Sequence, residues 1–265
     1  MSARSLPLSA VLFLFFLSGS VTAGTADPVA RGEAIARAAD AQLHGYGDSR
    51  ATLEMVLVSP AGETASRVLT VSSREAGSDG DRTLMVFRTP RDLAGTALLS
   101  WNHPQGDDEQ WLYLPAVQRV KQIGARNKSG PFMASEFAYE DIVTPFWQKY
   151  RYRWLRDETL DGLPCAVVER VPLDPNSGYV RQLVWIDSKD SLIRRIDFFD
   201  RRDAPLKTYV ARGFVQHAGK HWRPAEMHMT NLQTKKQTTL KWRDQVFGIG
   251  LQDSDFTRNA LQRVK

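Results

Sequence analysis

From Leu53 onward the chain repeats one pattern: a short run rich in β-branched and aromatic residues, then a cluster of turn formers. The runs at 53–58, 65–72, 82–88, 96–101, 110–114 and 117–123 make one series. Those at 151–155, 165–170, 179–187, 192–199, 206–214, 221–230 and 238–247 make a second. Between them stand Ser59-Pro60-Ala61-Gly62, Asp79-Gly80, Asp161-Gly162, Asp174-Pro175-Asn176-Ser177-Gly178 and Ala218-Gly219-Lys220. Proline presets φ for a turn, glycine tolerates positive φ, and Asn or Asp bonds its own backbone, so each cluster reverses the chain. Connections this short join antiparallel neighbours. No long helical pattern alternates with the strands, which excludes a parallel α/β sheet.

One helix precedes the strands. Asp27 is placed to cap it, Pro28 suits its first position and Gly45 its end. Ala34, Ile35, Ala38, Ala39, Gln42 and Leu43 put a modest apolar stripe on one side. The strand series breaks at 127–149, which opens on Gly130-Pro131 and carries Phe132, Met133, Phe137, Tyr139, Ile142, Val143, Phe146 and Trp147. Pro145 prevents one uninterrupted helix. The pattern predicts short helices or turns lying across one face of the sheet.

Several strands lack the alternation of a sheet with one wet face. Leu84-Met85-Val86-Phe87, Trp111-Leu112-Tyr113-Leu114 and Leu183-Val184-Trp185-Ile186 are apolar on both sides. Each face then needs cover, and either a thick packed core or an apolar cavity meets that need.

The first residues change the picture of where the chain works. Arg4 precedes an apolar run over 6–21, and Val21-Thr22-Ala23 stands ahead of Gly24. A charged start, an apolar stretch and a small-residue site predict a signal peptide over 1–23, leaving a single domain over 24–265. The run is short for a membrane span, and no other stretch is long and apolar enough. With no cysteine at the cut, the expected product is unanchored and periplasmic. Cys165 is the one cysteine of the chain, so no intrachain disulfide forms.

The 35 Lys and Arg exceed the 30 Asp and Glu only modestly, and most are interspersed along strands. The denser groups, Arg119, Lys121, Arg126 and Lys128, then Arg151, Arg153 and Arg156, read as solvated faces. A weaker reading is attraction to anionic headgroups or an acidic partner. No nucleic-acid recognition module is present.

Candidate chemistry is sparse. Nucleophile elbow, P-loop, zinc-protease and dinucleotide motifs are all missing. His217-x-x-x-His221 with His228 is the nearest thing to a metal pattern, but zinc wants at least three ordered ligands, and exposed hairpin histidines fit better. Glu136, Glu140 and Asp141 lack a nucleophile or base to work with, so helix-end capping and solvation are expected of them. Cys165, within Cys165-Ala166-Val167-Val168, reads as a buried small hydrophobe. The aromatic set is the stronger signal: Trp101, Trp111, Tyr113, Phe132, Phe137, Phe146, Trp147, Trp154 and Trp185, joined by Met133, Met227 and Met229. Core packing explains each singly, and together they suit an adaptable apolar pocket.

Trp111-Leu112-Tyr113-Leu114-Pro115, Arg119-Val120-Lys121-Gln122-Ile123 and Ser135-Glu136-Phe137-Ala138-Tyr139-Glu140-Asp141 resemble the signature of the outer-membrane lipoprotein-sorting protein family. Trp185-Ile186-Asp187, Arg195-Ile196-Asp197-Phe198-Phe199-Asp200, Lys207 and Trp222-x-Pro224 with Met227 and Met229 fit the same family, over roughly 52–261. The resemblance implies a LolA/LolB-like fold: mainly β, an incomplete antiparallel barrel, or half-barrel, with helices covering its concave face around an acyl-chain cavity. It implies transport of lipoprotein or lipid between membranes, no catalytic residues and no cofactor. Some relatives work with inner-membrane exporters of the resistance-nodulation-division (RND) type, which makes such an exporter a candidate partner alongside transient membrane contact.

Two features depart from the family. Its receptor branch is anchored through a lipidated cysteine missing here, so a shuttle fits better. Its soluble carriers latch the lid with a strand arginine, a role assigned to neither Arg67 nor Arg88. A sensor or interaction module on the same fold, without cargo, is the alternative function. The expected cavity or lid residues are Trp111, Tyr113, Phe132, Met133, Phe137, Phe146, Trp147 and Trp185, chosen for apolar area; period-2 geometry does not say which strand face is concave.

Overall fold

Thirteen antiparallel strands form one sheet in which every neighbour but one is also the next strand along the chain. The computed structural model describes residues 27–264; the expected signal peptide over 1–23 lies outside them. Helix α1 (Pro28–Leu43) comes first, and the Asp27 carboxylate accepts from the Val29 N–H at its start. Then follow β1 (Asp48–Val58), β2 (Thr64–Glu75), β3 (Asp81–Thr89), β4 (Ala97–Asn102), β5 (Glu109–Leu114) and β6 (Arg119–Gln122). After a long crossing segment come β7 (Tyr150–Leu160), β8 (Leu163–Pro172), β9 (Tyr179–Asp187), β10 (Ile193–Asp200), β11 (Pro205–His217), β12 (His221–Asn231) and β13 (Gln237–Phe247).

The exception to sequential order is β1 against β13, paired from Ser49↔Phe247 to Val58↔Gln237. That pairing puts the two halves of the chain side by side and leaves β6 and β7 as the free edges. The sheet curls without closing. The segment between the two edge strands, here called the lid (123–149), is broken into one-turn 3-10 helices at Ala125–Asn127, Phe132–Ala134, Tyr139–Asp141 and Trp147–Lys149. Among the described residues no helix is long and apolar enough to cross a membrane.

Strand alternation sorts the two faces. Leu53, Met55, Leu69, Val71, Met85, Phe87, Leu98, Leu112, Val168, Val184, Ile186, Ile196, Met229 and Leu240 belong to one buried cluster on the concave side, with Phe132 and Phe137 from the lid. On the other face, Val86, Ala97, Leu99 and Trp111 pack against Leu251, Phe256 and Leu261 of the C-terminal tail. The Trp101 indole N–H donates to the Phe256 carbonyl at 2.8 Å and fixes that tail. Two of the doubly apolar runs are thereby explained, since a tail covers β3–β5 outside while core and lid cover them inside; on β9 the outer Trp185 packs with Cys165 and Val167 instead.

Helix α1 is seated on the β7 backbone. A Cβ at Gly32 would lie 2.5 Å from the Trp154 amide nitrogen, so only glycine permits this approach. Arg31 closes the contact, with its guanidinium 3.9 Å from the Trp154 ring centroid and 2.6 Å from Asp157.

Candidate functional site

Between the concave face, α1 and the lid lies a cavity of about 260 Å³. Its walls come from Leu53 and Val71, from Ile196 and Phe198, from Tyr209, Met227 and Met229, and from Leu240 and Trp242. Phe137 and Ile142 roof it from the lid, and Ala39 and Leu43 border it from α1. A second, smaller hollow beside it is bounded by Ala36, Ala39, Phe146, Trp147, Tyr152, Val168 and Arg170.

The lid is bolted down by polar groups. Lys207 on β11 donates to Asp141 Oδ2 at 2.6 Å and to the Glu136 carbonyl at 3.0 Å. Asp141 also accepts from the Tyr179 hydroxyl at 2.9 Å and from the Ala138 N–H at 2.6 Å. The Glu136 carboxylate accepts from the Asn231 amide at 2.7 Å, and its N–H donates to Thr238. Glu140 accepts from the Ser177 hydroxyl at 2.7 Å and from the Gly178 N–H at 2.9 Å. Burial, then the neighbouring Asp141, raises the Glu140 pKa against those donors. The expectation that Glu136, Glu140 and Asp141 merely cap turns and meet solvent is therefore corrected. They tie an aromatic segment to four strands and a loop, because an apolar lid alone has no directional hold on the sheet.

Arg67 adds β2 as a fifth strand, its guanidinium donating to the Met133 carbonyl. The lid turns sharply there, with φ of 48° at Met133 and 61° at Ala134. At its far end the lid docks on α1. The Trp147 N–H donates to Asp40 at 2.9 Å, Arg37 stacks on the Trp147 ring at 3.9 Å, and the Phe146 ring stacks on His44 at 4.8 Å.

The eight residues chosen from the sequence divide by element: the five on the lid lie on the concave side, and the three on strands lie outside. Phe137 lines the main cavity, while Phe146 and Trp147 border the smaller hollow. Phe132 is fully buried against Phe87 and Tyr139, with centroids 5.9 and 5.5 Å away, and Met133 packs beside it. These two anchor the lid and do not line the cavity. Trp111 and Tyr113 sit outside, under the C-terminal tail, and Trp185 sits outside with Cys165 and Val167. One residue along each strand, Leu112 and Val184 point inward instead. Met227 and Met229, singled out with the aromatic set, do line the cavity, whereas the missed wall residues Tyr209, Leu240 and Trp242 carry the period-2 signal, but nothing in one strand marks its inner side.

Other expectations meet the structure as follows. His217 and His221 pair across the β11–β12 hairpin, both against the Phe247 ring, and His221 is buried instead of exposed. His228 bonds Glu226 and Thr239 elsewhere on β12. Among the described residues no cluster of His, Cys, Asp and Glu is arranged to hold a metal. Lys128 also departs from the solvated reading, being buried with its amine on the Asp108 carbonyl at 2.6 Å. Cys165 is buried, and burial raises its thiol pKa.

A curled, unclosed antiparallel sheet with a helix and lid over its hollow defines the LolA-like class. A LolA-superfamily protein from Nitrosomonas europaea shares the fold, with TM-score 0.70 at 19% identity over 86% of this chain and 98% of its own. The chain belongs to the outer-membrane lipoprotein-sorting protein family. It is 45% identical to a domain of that family from Vibrio parahaemolyticus, covering 89% of this chain and all (100%) of that one, with TM-score 0.87. A DUF1329-family protein from Desulfovibrio piger matches at 29% identity and TM-score 0.84, over 89% of this chain and 99% of its own. A family model described as "uncharacterized protein" covers residues 79–263. No curated protein matches the sequence.

Proposed function

We propose that this chain is a periplasmic carrier that holds the acyl chain of a lipid or lipoprotein in the cavity beneath its lid. The observation that carries the reading is the cavity itself: about 260 Å³ of space in the middle of the largest apolar cluster, walled by Met227, Met229, Leu240 and Trp242. An alkyl chain seated there gains dispersion contacts with these walls. Similarity to the lipoprotein-sorting domain from Vibrio parahaemolyticus supports the same reading. We read residues 1–23 as the signal peptide that delivers the remaining single domain to the periplasm, and an inner-membrane exporter of the RND type as its donor or acceptor.

A sixteen-carbon chain is worth roughly 12 kcal/mol of gross transfer at about 0.8 kcal/mol per methylene. Since the same chain is already buried in its donor membrane, loading runs near balance, and lid opening sets the rate. No catalytic group is required. Mass spectrometry of organic extracts from protein purified without detergent tests the proposal. A lipid at near one-to-one stoichiometry is the expected result. An empty protein that also fails to bind a fluorescent fatty acid overturns it.

A further inference from the structure

Three cationic side chains are buried among the described residues: Lys128, Arg170 and Lys207. Lys207 has the Asp141 carboxylate, and Lys128 has the Asp108 carbonyl. Arg170, only 7% exposed, is different. Its Nε donates to the Gln182 side-chain oxygen at 2.6 Å, and its guanidinium lies 4.5 Å from the Tyr150 ring centroid. No carboxylate pairs with it, and its two terminal nitrogens make no hydrogen bond among the described residues. The side chain borders both the main cavity and the smaller hollow.

The surroundings are donors. In register, Arg170 lies between Tyr152 of β7 and Gln182 of β9, on the concave side. Tyr150 and Tyr209 line the main cavity, and Tyr152 the smaller hollow. No hydroxyl of these three tyrosines has a hydrogen-bond partner among the described residues. Burial raises the pKa of all three, so each phenol keeps the proton it would donate. The nearby carboxylates are already spoken for: Asp141 by Lys207, Tyr179 and Ala138, and Glu140 by Ser177 and Gly178. A guanidinium without an anion in a low-dielectric cavity is costly, and its planar fork fits an oxyanion in bidentate fashion.

We propose that Arg170, with Tyr150 and Tyr209, is the head-group site of the cavity, and that the cargo is an alkyl chain ending in an oxyanion, a carboxylate or a phosphate. This rests on the acyl-carrier reading and sharpens it. An ester- or amide-linked lipoprotein chain brings no anion to that point, whereas a free fatty acid or a lipid phosphate does. The tail then runs along Phe198, Met227 and Trp242, which line the same cavity.

The test is equilibrium binding of palmitate, monohexadecyl phosphate, methyl palmitate and hexadecanol to the full domain, by displacement of a fluorescent fatty acid. The anionic ligands should bind at least about tenfold more tightly than the neutral ones, as one charge-assisted hydrogen bond implies. Preference for palmitate or for the phosphate identifies which oxyanion the site takes. Arg170→Met should bring the ratio of anionic to neutral affinity close to one, and Arg170→Lys should restore part of it. Equal affinity for anionic and neutral chains in the unsubstituted protein overturns the head-group site but leaves the carrier intact. Failure of all four ligands overturns the carrier reading itself. The unsubstituted protein decides both, whether or not Arg170→Met folds.

Discussion

Lys207 and Asp141 meet across the junction of sheet and lid, 2.6 Å apart, with side chains only 5% and 8% exposed. The ammonium also lies 5.0 and 5.2 Å from the ring centroids of Tyr179 and Phe198. The pair is the buried ion pair among the polar tethers that close the lid.

Removing one partner of a buried ion pair leaves the other charged and unpaired, at a cost of about 3–5 kcal/mol. Lys207→Met should therefore lower unfolding stability by about 3 kcal/mol and raise amide exchange across 128–145. Adding Asp141→Asn should cost less than the two single changes summed. Urea denaturation with hydrogen exchange measures both effects, and strict additivity would argue that the pair does not hold the lid.

His44 predicts a pH dependence. Burial opposes its charge, but the side chains of Asp40, 3.3 Å away, and Asp81, 3.6 Å away, outweigh burial and raise the pKa from 6.5 to about 10. A proton held more tightly in the folded state stabilises fully below pH 6.5 and progressively less as pH rises toward 10. Stability should fall across that window, and His44→Gln should flatten the fall while costing about 1–2 kcal/mol at neutral pH, a charged hydrogen bond discounted for partial exposure. Thermal melts from pH 6 to 10 read this directly.

Gly32→Ala should destabilise although alanine is the better helix former. The new methyl would sit 2.5 Å from the Trp154 amide nitrogen and 2.8 Å from the Arg153 carbonyl carbon, both backbone atoms that cannot swing aside. Overpacking of this kind costs about 1–3 kcal/mol, exceeding the gain in propensity of about 1 kcal/mol. A melting temperature equal to or above the parent's would contradict the seating of α1 on β7.

Two tryptophans on opposite faces separate binding from folding. Trp242 lines the cavity, half-buried, with its indole N–H 3.5 Å from Met227 Sδ. Trp185 is buried outside and bonded to Glu158. Trp242→Ala should weaken fatty-acid binding by about tenfold, the worth of roughly 1.4 kcal/mol of lost contact. Trp185→Ala should leave affinity unchanged in the folded protein while costing about 3–5 kcal/mol of stability. The reverse pattern, read by ligand titration and denaturant melts, would mean the concave side has been misassigned.

Local chemistry determined much of this molecule. Turn formers at Asp79-Gly80 and Asp161-Gly162 and β-rich runs between them specify each strand, and Asp27-Pro28 specifies where α1 begins. The aromatic interruption at 127–149 marked the lid, because so many large apolar groups cannot remain in water. Tertiary structure decided the rest. Which side of β5 and β9 faces inward depends on how the whole sheet curls, so Trp111 and Trp185 were indistinguishable from Leu112 and Val184 until the strands were assembled. The partners of Asp141 and the isolation of Arg170 depend on β8, β9 and β11 meeting the lid over separations of 38 and 66 residues along the chain. Charge pairing acts through space, whereas periodicity speaks only of neighbours along one strand.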